Sequence, residues 1–378
     1  VLQRARQFAD DLVAWRRALH RHPEPGFGEV WTGRFIAEQL ARLGIPHRTS
    51  IARTGLIGDL GEGKPCLALR ADMDALPIQE ENEVPYASEV PGWMHACGHD
   101  VHVACLLGAA RLLAEEAAAG RLPGRVRLLF QPAEESSDEQ GRSGALRMLE
   151  QGAMDDVDAI LGLHVAADLP VGTIGVRDGA TSAFTDGFRL DILGTAAHGA
   201  YPQKGFDAVV LAAQVIQALQ TVVSRRVDPT KGRVITIGTI HGGDKENVVA
   251  GRVTMAGTIR TFEPEMRAAV FAEMRRACEV ARALGGDFAL TIEDGYDAVI
   301  NDPTMCDLVR QTATGLLGAD KVLEVSLQMH GDDFGYFGQR APGCYFNLGG
   351  AWPGEAERLH HNPRFDVDER CLPIGSAV

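Results

Sequence analysis

The chain has 378 residues, 45% of them hydrophobic and 23% charged, a balance typical of soluble globular proteins. That length exceeds one compact core of ordinary size, so two domains are expected. A formal net charge of −14 argues against a nucleic-acid or anionic-membrane partner, although a local arginine pocket can still accept an anionic substrate.

Apolar residues at Phe8, Leu12, Trp15 and Leu19 recur at helical spacing and predict a helix over 4–20. His22-Pro23-Glu24-Pro25-Gly26 breaks the pattern, and a second helix is predicted over 32–43, ending at Gly44. Short apolar runs at 55–60 and 66–69 read as strands, and Asp100 reads as the N-cap of a long Ala/Leu-rich helix ending near 119. A strand at 126–130, a helix at 144–150 and a strand at 159–163 follow. This alternation predicts a mostly parallel sheet covered on both faces.

The middle of the chain reads differently: strand 188–193, helix 207–223, strands 233–240 and 252–260, helix 264–283, strand 288–293. The order βαββαβ is that of a ferredoxin-like sandwich. After Asn301 the α/β pattern returns with a helix at 303–317 and an apolar run at 344–348. The expected fold is therefore an α/β domain, discontinuous over 1–182 and 297–378, with a smaller α+β domain inserted over 183–296.

No run approaches the roughly 20 apolar residues of a membrane span, and none is expected. The first residues, Val1-Leu2-Gln3-Arg4-Ala5-Arg6, lack the apolar run of a signal peptide. Seven scattered cysteines are an odd number and do not form a disulfide framework, so a reducing cytoplasm is the expected compartment.

The chemistry is concentrated in His95-Ala96-Cys97-Gly98-His99-Asp100-Val101-His102 and Gln131-Pro132-Ala133-Glu134-Glu135. Thiolate and imidazole are preferred zinc ligands, and two adjacent carboxylates can divide metal binding from proton transfer. Each residue alone has an ordinary reading: a lone Cys packs as a small hydrophobe, a lone His makes a hydrogen bond, and a charged pair lies on a solvated face. Their joint placement is more telling. Asp72 and Asp74, Cys97 and His99, Glu134 and Glu135, and His164 all follow predicted strands or begin helices. In open α/β sheets ligands bind at the carboxyl ends of strands. His361 is a further candidate, with His360 beside it.

The runs Leu69-Arg70-Ala71-Asp72-Met73-Asp74-Ala75-Leu76-Pro77, His95–Asp100, Gln131–Glu135 and Gly162-Leu163-His164 resemble the aminoacylase and carboxypeptidase family of dimetal peptidases, peptidase family M20. They are most similar to its amidohydrolase branch, which includes hippurate hydrolases, N-acyl-amino-acid amidohydrolases and auxin-conjugate hydrolases. The likeness continues through Ala197-His198-Gly199-Ala200-Tyr201-Pro202, Glu246-Asn247-Val248-Val249, Gly257-Thr258-Ile259-Arg260-Thr261 and Asp333-Phe334 to His361, nearly the whole chain.

The resemblance implies two divalent transition ions (zinc, manganese, cobalt or nickel) held by Cys97, His99, Glu135, His164 and His361, with Cys97 bridging. It implies Glu134 as general acid and base, Asp72 as a carboxylate orienting a ligand, and His198 as an oxyanion donor supplied across a dimer. Asn247 and Arg260 would bind the substrate's polar end; read alone, they are a turn residue and a surface strand residue. The inserted domain would be a lid and dimerisation module, giving a homodimer or dimer of dimers. The expected activity is hydrolysis of small N-acyl-L-amino acids, the alternative being a dipeptidase or an N-acetyl-diaminopimelate-type deacetylase. Other branches place a ligating His-x-Asp where this chain has Arg70-Ala71-Asp72, which leaves metal number and identity open. His95 and His102 either position the Cys97–His99 loop or lie on the surface. Asp332 and Asp333 either support the site or cap the turn at Phe334.

Overall fold

The computed structural model describes residues 1–354 and 358–378 and divides into two compact units. The first comprises Val1–Thr181, Ile300–Ser326 and Asp333–Val378, the second Ser182–Val299 and Leu327–Asp332.

The first unit is built on an eight-stranded sheet in the order His47–Ile51, Gly55–Leu60, Arg125–Gln131, Cys66–Asp72, Ala159–Pro170, Gly343–Ala351, Ile174–Val176, Val322–Glu324. The four strands at its centre run parallel, and antiparallel pairing is confined to the flanks. Burial explains the choice. Arg125–Gln131 reads Arg-Val-Arg-Leu-Leu-Phe-Gln with six consecutive buried residues, which suits a strand covered on both faces. The helix His99–Ala118 is buried over most of its first half, so it lies within the core and lacks a strongly polar face there. Helix Ala9–Arg21 packs against it through Leu12 and Leu19, both fully buried. Each such leucine contributes roughly 2–3 kcal/mol by removal from water.

Three sequence expectations change. The helix over 4–20 is two helices, Leu2–Gln7 and Ala9–Arg21, because Phe8 leaves helical backbone and turns its ring into the core under the Arg111 guanidinium. Asp100 is not the N-cap; Gly98 holds that position at φ 89°, and the Asp100 carboxylate is taken up by Arg16 and His20. The strand at 159–163 runs on to Pro170, since it pairs with Gly343–Ala351 beyond His164. The polar strand His47–Ile51 carries no apolar alternation, and it lies at the sheet edge with its middle exposed.

The second unit has an antiparallel sheet in the order Arg233–Gly242, Arg252–Thr261, Phe184–Leu193, Asp287–Glu293. With helices Ala208–Thr221 and Pro264–Ala283 the chain order is βαββαβ. Residues alternate buried and less buried along Phe184–Leu193, as in a sheet with one covered face. Asp207 caps the first helix through bonds from the Val209 and Val210 amides. One segment, Ala208–Arg226, is long and apolar enough to cross a membrane by length and composition alone. Its Leu211, Val215 and Leu219 nevertheless form part of this unit's own core against Met255, Val270 and Met274.

Candidate metal centre

Parallel strands gather their carboxyl ends on one sheet edge, and the local backbone there aims the side chains. Asp72 ends its strand in register with Gln131, so the Glu134–Glu135 turn emerges beside it. Ala133 takes a left-handed φ of 47°, which turns the chain between strand and carboxylates. Gly98 sits at φ 89°, and a Cβ there would meet Val165 Cγ1 at 2.4 Å. Only glycine fits that turn, which presents Cys97 and His99 to the same space. His361 is anchored by its amide, which donates to the Ala96 carbonyl at 2.8 Å.

Several groups of potential ligand atoms result, and two of them share one sulfur. Cys97, His99 and His164 form the first group; Cys97, Glu135 and His361 form the second, each with its ligand atoms within 4.8 Å of one another. Cys97 Sγ lies 3.4 Å from His164 Nε2, and His361 Nε2 lies 3.1 Å from Glu135 Oε1. Such separations suit two ligands bonded to one ion at roughly 2.0–2.3 Å. Glu134 directs Oε2 toward His99 Nε2 at 4.0 Å, and its Oε1 accepts the Asp333 amide at 3.4 Å. The neighbouring histidines diverge: His361 faces Glu135, whereas His360 packs on Phe365 and His164.

The donor set fits divalent transition ions. His99 Nε2 is buried with no hydrogen-bond partner among the described residues, while His99 Nδ1 is held by the Asp74 carbonyl at 2.9 Å and carboxylate at 3.2 Å. Burial works against a charged His99, but Asp72 and Asp74 outweigh it and push the imidazole up to about 10. Burial, then Glu135 and Glu134, push the Cys97 thiol far up, so a thiolate here requires added positive charge. His164 is held neutral by burial and by His102 and His360, which leaves it competent to bind metal. Burial raises Glu135, yet His361 and His99 bring it below its ordinary value.

A second layer fixes these groups. His102 Nε2 accepts the Val165 amide at 2.9 Å, so its proton is on Nδ1 and is donated to Asp72 Oδ1 at 2.5 Å. Arg70 donates to Asp72 Oδ2 at 2.7 Å, to Gln131 at 2.7 Å and to Asp333 at 3.0 Å, all buried. Burial would raise Asp72, but Arg70 and the histidines hold it well below the usual carboxylate range. Arg70 thus turns the Arg-Ala-Asp departure into an ion pair. Asp333 stands at the N-cap position before Phe334, but its carboxylate makes no capping bond and binds Arg70, Gln131 and the Ala145 amide. The surface reading of His95 and His102 is overturned, since both are buried. Asp74, a candidate ligand by its place at a strand end, serves instead as a support, its carboxylate bonding both the His99 ring and the Glu135 amide. Its signal was the Asp-x-Asp spacing at a strand end.

His198, Asn247 and Arg260 belong to the second unit, as does Asp332. There His198 pairs with Val248 across a two-residue ladder, and the Gly199 amide donates to the Asn247 carbonyl at 2.8 Å. A Cβ on Gly199 would meet that carbonyl oxygen at 2.9 Å, so glycine permits the approach of His198 to Asn247. His198 and Asn247 are exposed. The Arg260 guanidinium is partly buried and makes no ion pair among the described residues, its one hydrogen bond going to the Ile259 carbonyl at 3.0 Å.

Comparison with known proteins decides the family. Residues 68–378 match the model of "Peptidase family M20/M25/M40". The chain belongs to peptidase family M20. An N-acetyl-L-cysteine deacetylase of Bacillus subtilis is 40% identical over 96% of this chain and 84% of its own length. An IAA-amino acid hydrolase of Arabidopsis thaliana (ILR1-like 2) is 37% identical over 98% of this chain and 83% of its own. A solved Bacillus subtilis structure, described as a dinuclear metal binding peptidase of the M20 family, superposes with a TM-score of 0.86 at 36% identity. It covers 98% of this chain and 96% of its own. These are the family and the amidohydrolase branch that the motifs resemble, and the large, mostly parallel sheet is the M20 fold. This M20 member is a hydrolytic enzyme acting on amides.

Proposed function

We propose that the chain is a two-metal amidohydrolase that splits N-acyl-L-amino acids into a carboxylic acid and a free amino acid. The observation that carries this reading is one sulfur, Cys97 Sγ, common to two ligand groups with the Glu134 carboxylate alongside. Cys97, His99 and His164 would hold one divalent ion, and Cys97, Glu135 and His361 the other. The M20 relative described as dinuclear supports two ions. Bound there, they would polarise the amide carbonyl and lower the pKa of water.

The chain's own groups do the rest. Glu134 accepts the proton of the attacking water and returns it to the departing nitrogen. Glu135, held ionised, cannot share that work. Asp72 acts through His102 and beside His99 to keep the ligands oriented. His198 donates to the carbonyl oxygen as it gains charge. Asn247 and Arg260 receive the amino acid's carboxylate, which the guanidinium fork matches with two parallel bonds. The inserted unit serves as a lid and as the contact of a homodimer or dimer of dimers. Relatives named as an N-acetyl-L-cysteine deacetylase and an IAA-amino acid hydrolase support an N-acylated amino acid as the small-molecule substrate. Seven free, buried cysteines support a reducing compartment, the cytoplasm.

The test is a panel of N-acetyl-, N-benzoyl- and longer-chain acyl-amino acids, with dipeptides beside them, assayed with zinc, manganese, cobalt and nickel. Metal-dependent release of the free amino acid is expected from the acyl series. Glu134→Gln should retain the ions and lose ~10²–10⁴-fold in turnover. Cleavage of dipeptides alone would overturn the substrate class, and full turnover by Glu134→Gln would overturn the role of that carboxylate.

A further inference from the structure

Arg16 is 0% exposed on helix Ala9–Arg21, where a charged side chain persists only when paired. Its guanidinium reaches three carboxylates. Nε donates to Asp100 Oδ2 at 2.8 Å, Nη2 to Asp366 Oδ1 at 2.9 Å, and Nη1 to Glu369 Oε1 at 3.3 Å. Asp100 is the residue after His99, in the first turn of its helix. Asp366 ends the short segment that starts at His361 and folds back through a bond from the Phe365 amide to the Asn362 carbonyl at 3.0 Å. One buried cation therefore joins the two stretches of chain that bear Cys97 and His99 on one side and His361 on the other.

Other groups brace the same contacts. His20 Nδ1 meets Asp100 Oδ2 at 2.7 Å, and the Tyr86 hydroxyl donates to Asp366 Oδ2 at 2.9 Å. Asn82 bridges Glu80, the partner of His20, to the Phe365 carbonyl. Arg17 also holds Glu369 and Arg358 lies 3.4 Å from Asp366, but without Arg16 the buried Asp100 and Asp366 carboxylates would lose the cation they share, and the two segments would move apart. A planar fork meets two carboxylates at a set angle, which the single ammonium of lysine cannot reproduce.

We propose that Arg16 is a positioning residue for the metal centre: by binding Asp100 and Asp366 together, it sets the spacing between the Cys97–His99 loop and His361 and so the affinity for the ions. The proposal rests on the two-metal reading given above. Arg16 touches neither substrate nor ligand atoms; it acts through the backbone of the two segments.

The experiment strips the whole protein of metal with a chelator and titrates it with zinc against a chromophoric competitor. Wild type, Arg16→Met, Arg16→Lys, Asp366→Asn and Leu12→Ala are compared, with the melting temperature of each metal-free form. Wild type should take up about two ions per chain. Arg16→Met should bind zinc roughly tenfold more weakly, the lower end for partners that support a metal site, with Arg16→Lys in between. Leu12→Ala perturbs the same helix away from the network; it should lower the melting temperature and leave zinc affinity within about twofold. Asp366→Asn keeps the arginine and cuts one arm, so it reports on the clamp even where Arg16→Met fails to fold. Wild-type affinity in both Arg16→Met and Asp366→Asn, or equal weakening by Leu12→Ala, would overturn the clamp. Wild type that takes up no zinc would overturn the two-metal reading instead.

Discussion

His102 donates its Nδ1 proton to Asp72 at 2.5 Å while its Nε2 accepts the Val165 amide at 2.9 Å, next to His164. One imidazole thus ties the end of strand Cys66–Asp72 to the strand that carries a candidate ligand. With both nitrogens engaged, His102 is a brace and not a ligand itself. Asp72→Asn removes the charge that Arg70 and His102 share. Metal affinity should fall ~10–100-fold, as for other partners that orient ligands. Competition with a chelator measures it, and an unchanged affinity would remove Asp72 from the site's support.

The shared sulfur makes a sharper prediction. Cys97→Ala takes a ligand from both groups, so its ion content should drop from about two per chain to one or none. Cobalt-loaded wild type should show a thiolate-to-metal absorption band that Cys97→Ala lacks. A full complement of tightly held ions in that variant would exclude a bridging role.

Arg260 and His198 should separate in their kinetics. On the proposed role, Arg260→Ala would lose a charge-assisted bond to the substrate carboxylate and should raise KM ~10–100-fold with little change in kcat. His198→Ala loses a donor that matters as charge develops and should lower kcat ~10²–10³-fold. Neither side chain is in a core, so melting temperatures should stay close to wild type. A His198→Ala effect confined to KM would place it in binding alone.

Glu29 provides a pH test in the metal-free protein. It is buried, accepts the Ala133 amide at 2.8 Å, and is raised to about 7 by burial and then by Asp74. A carboxyl raised on folding adds stability that is full below its unfolded value near 4.5 and is lost as pH rises through about 7. Wild type should therefore lose on the order of 2 kcal/mol relative to Glu29→Gln between pH 5 and pH 8. Denaturant melts across that range measure the difference, and parallel curves would mean that Glu29 is not protonated in the fold.

Much of this architecture was legible along the chain because its signals are local. The apolar strand Arg125–Gln131 and the helix Pro264–Ala283 with proline at its first turn were each readable from a few adjacent residues. The motif residues were readable too, since Cys-Gly-His and Glu-Glu are uncommon groupings with defined metal and proton chemistry.

Other features depend on residues far apart in sequence. Nothing near Asp100 signals that Arg16 and His20 will claim its carboxylate, which left it looking like a cap. Between the adjacent His360 and His361 only the family likeness favoured His361; a backbone φ of 57° at His361 and the anchoring of its amide on Ala96 turn its ring to Glu135. The sequence alone determined the kinds of donor present and the elements that carry them, because composition and periodicity act over one or two turns of chain. The family likeness already implied a bridging Cys97; only the tertiary structure decided that Arg70 and Arg16 neutralise the acids around the ligand groups. Those outcomes depend on desolvation and on contacts between strand ends, which exist only once the sheet has formed.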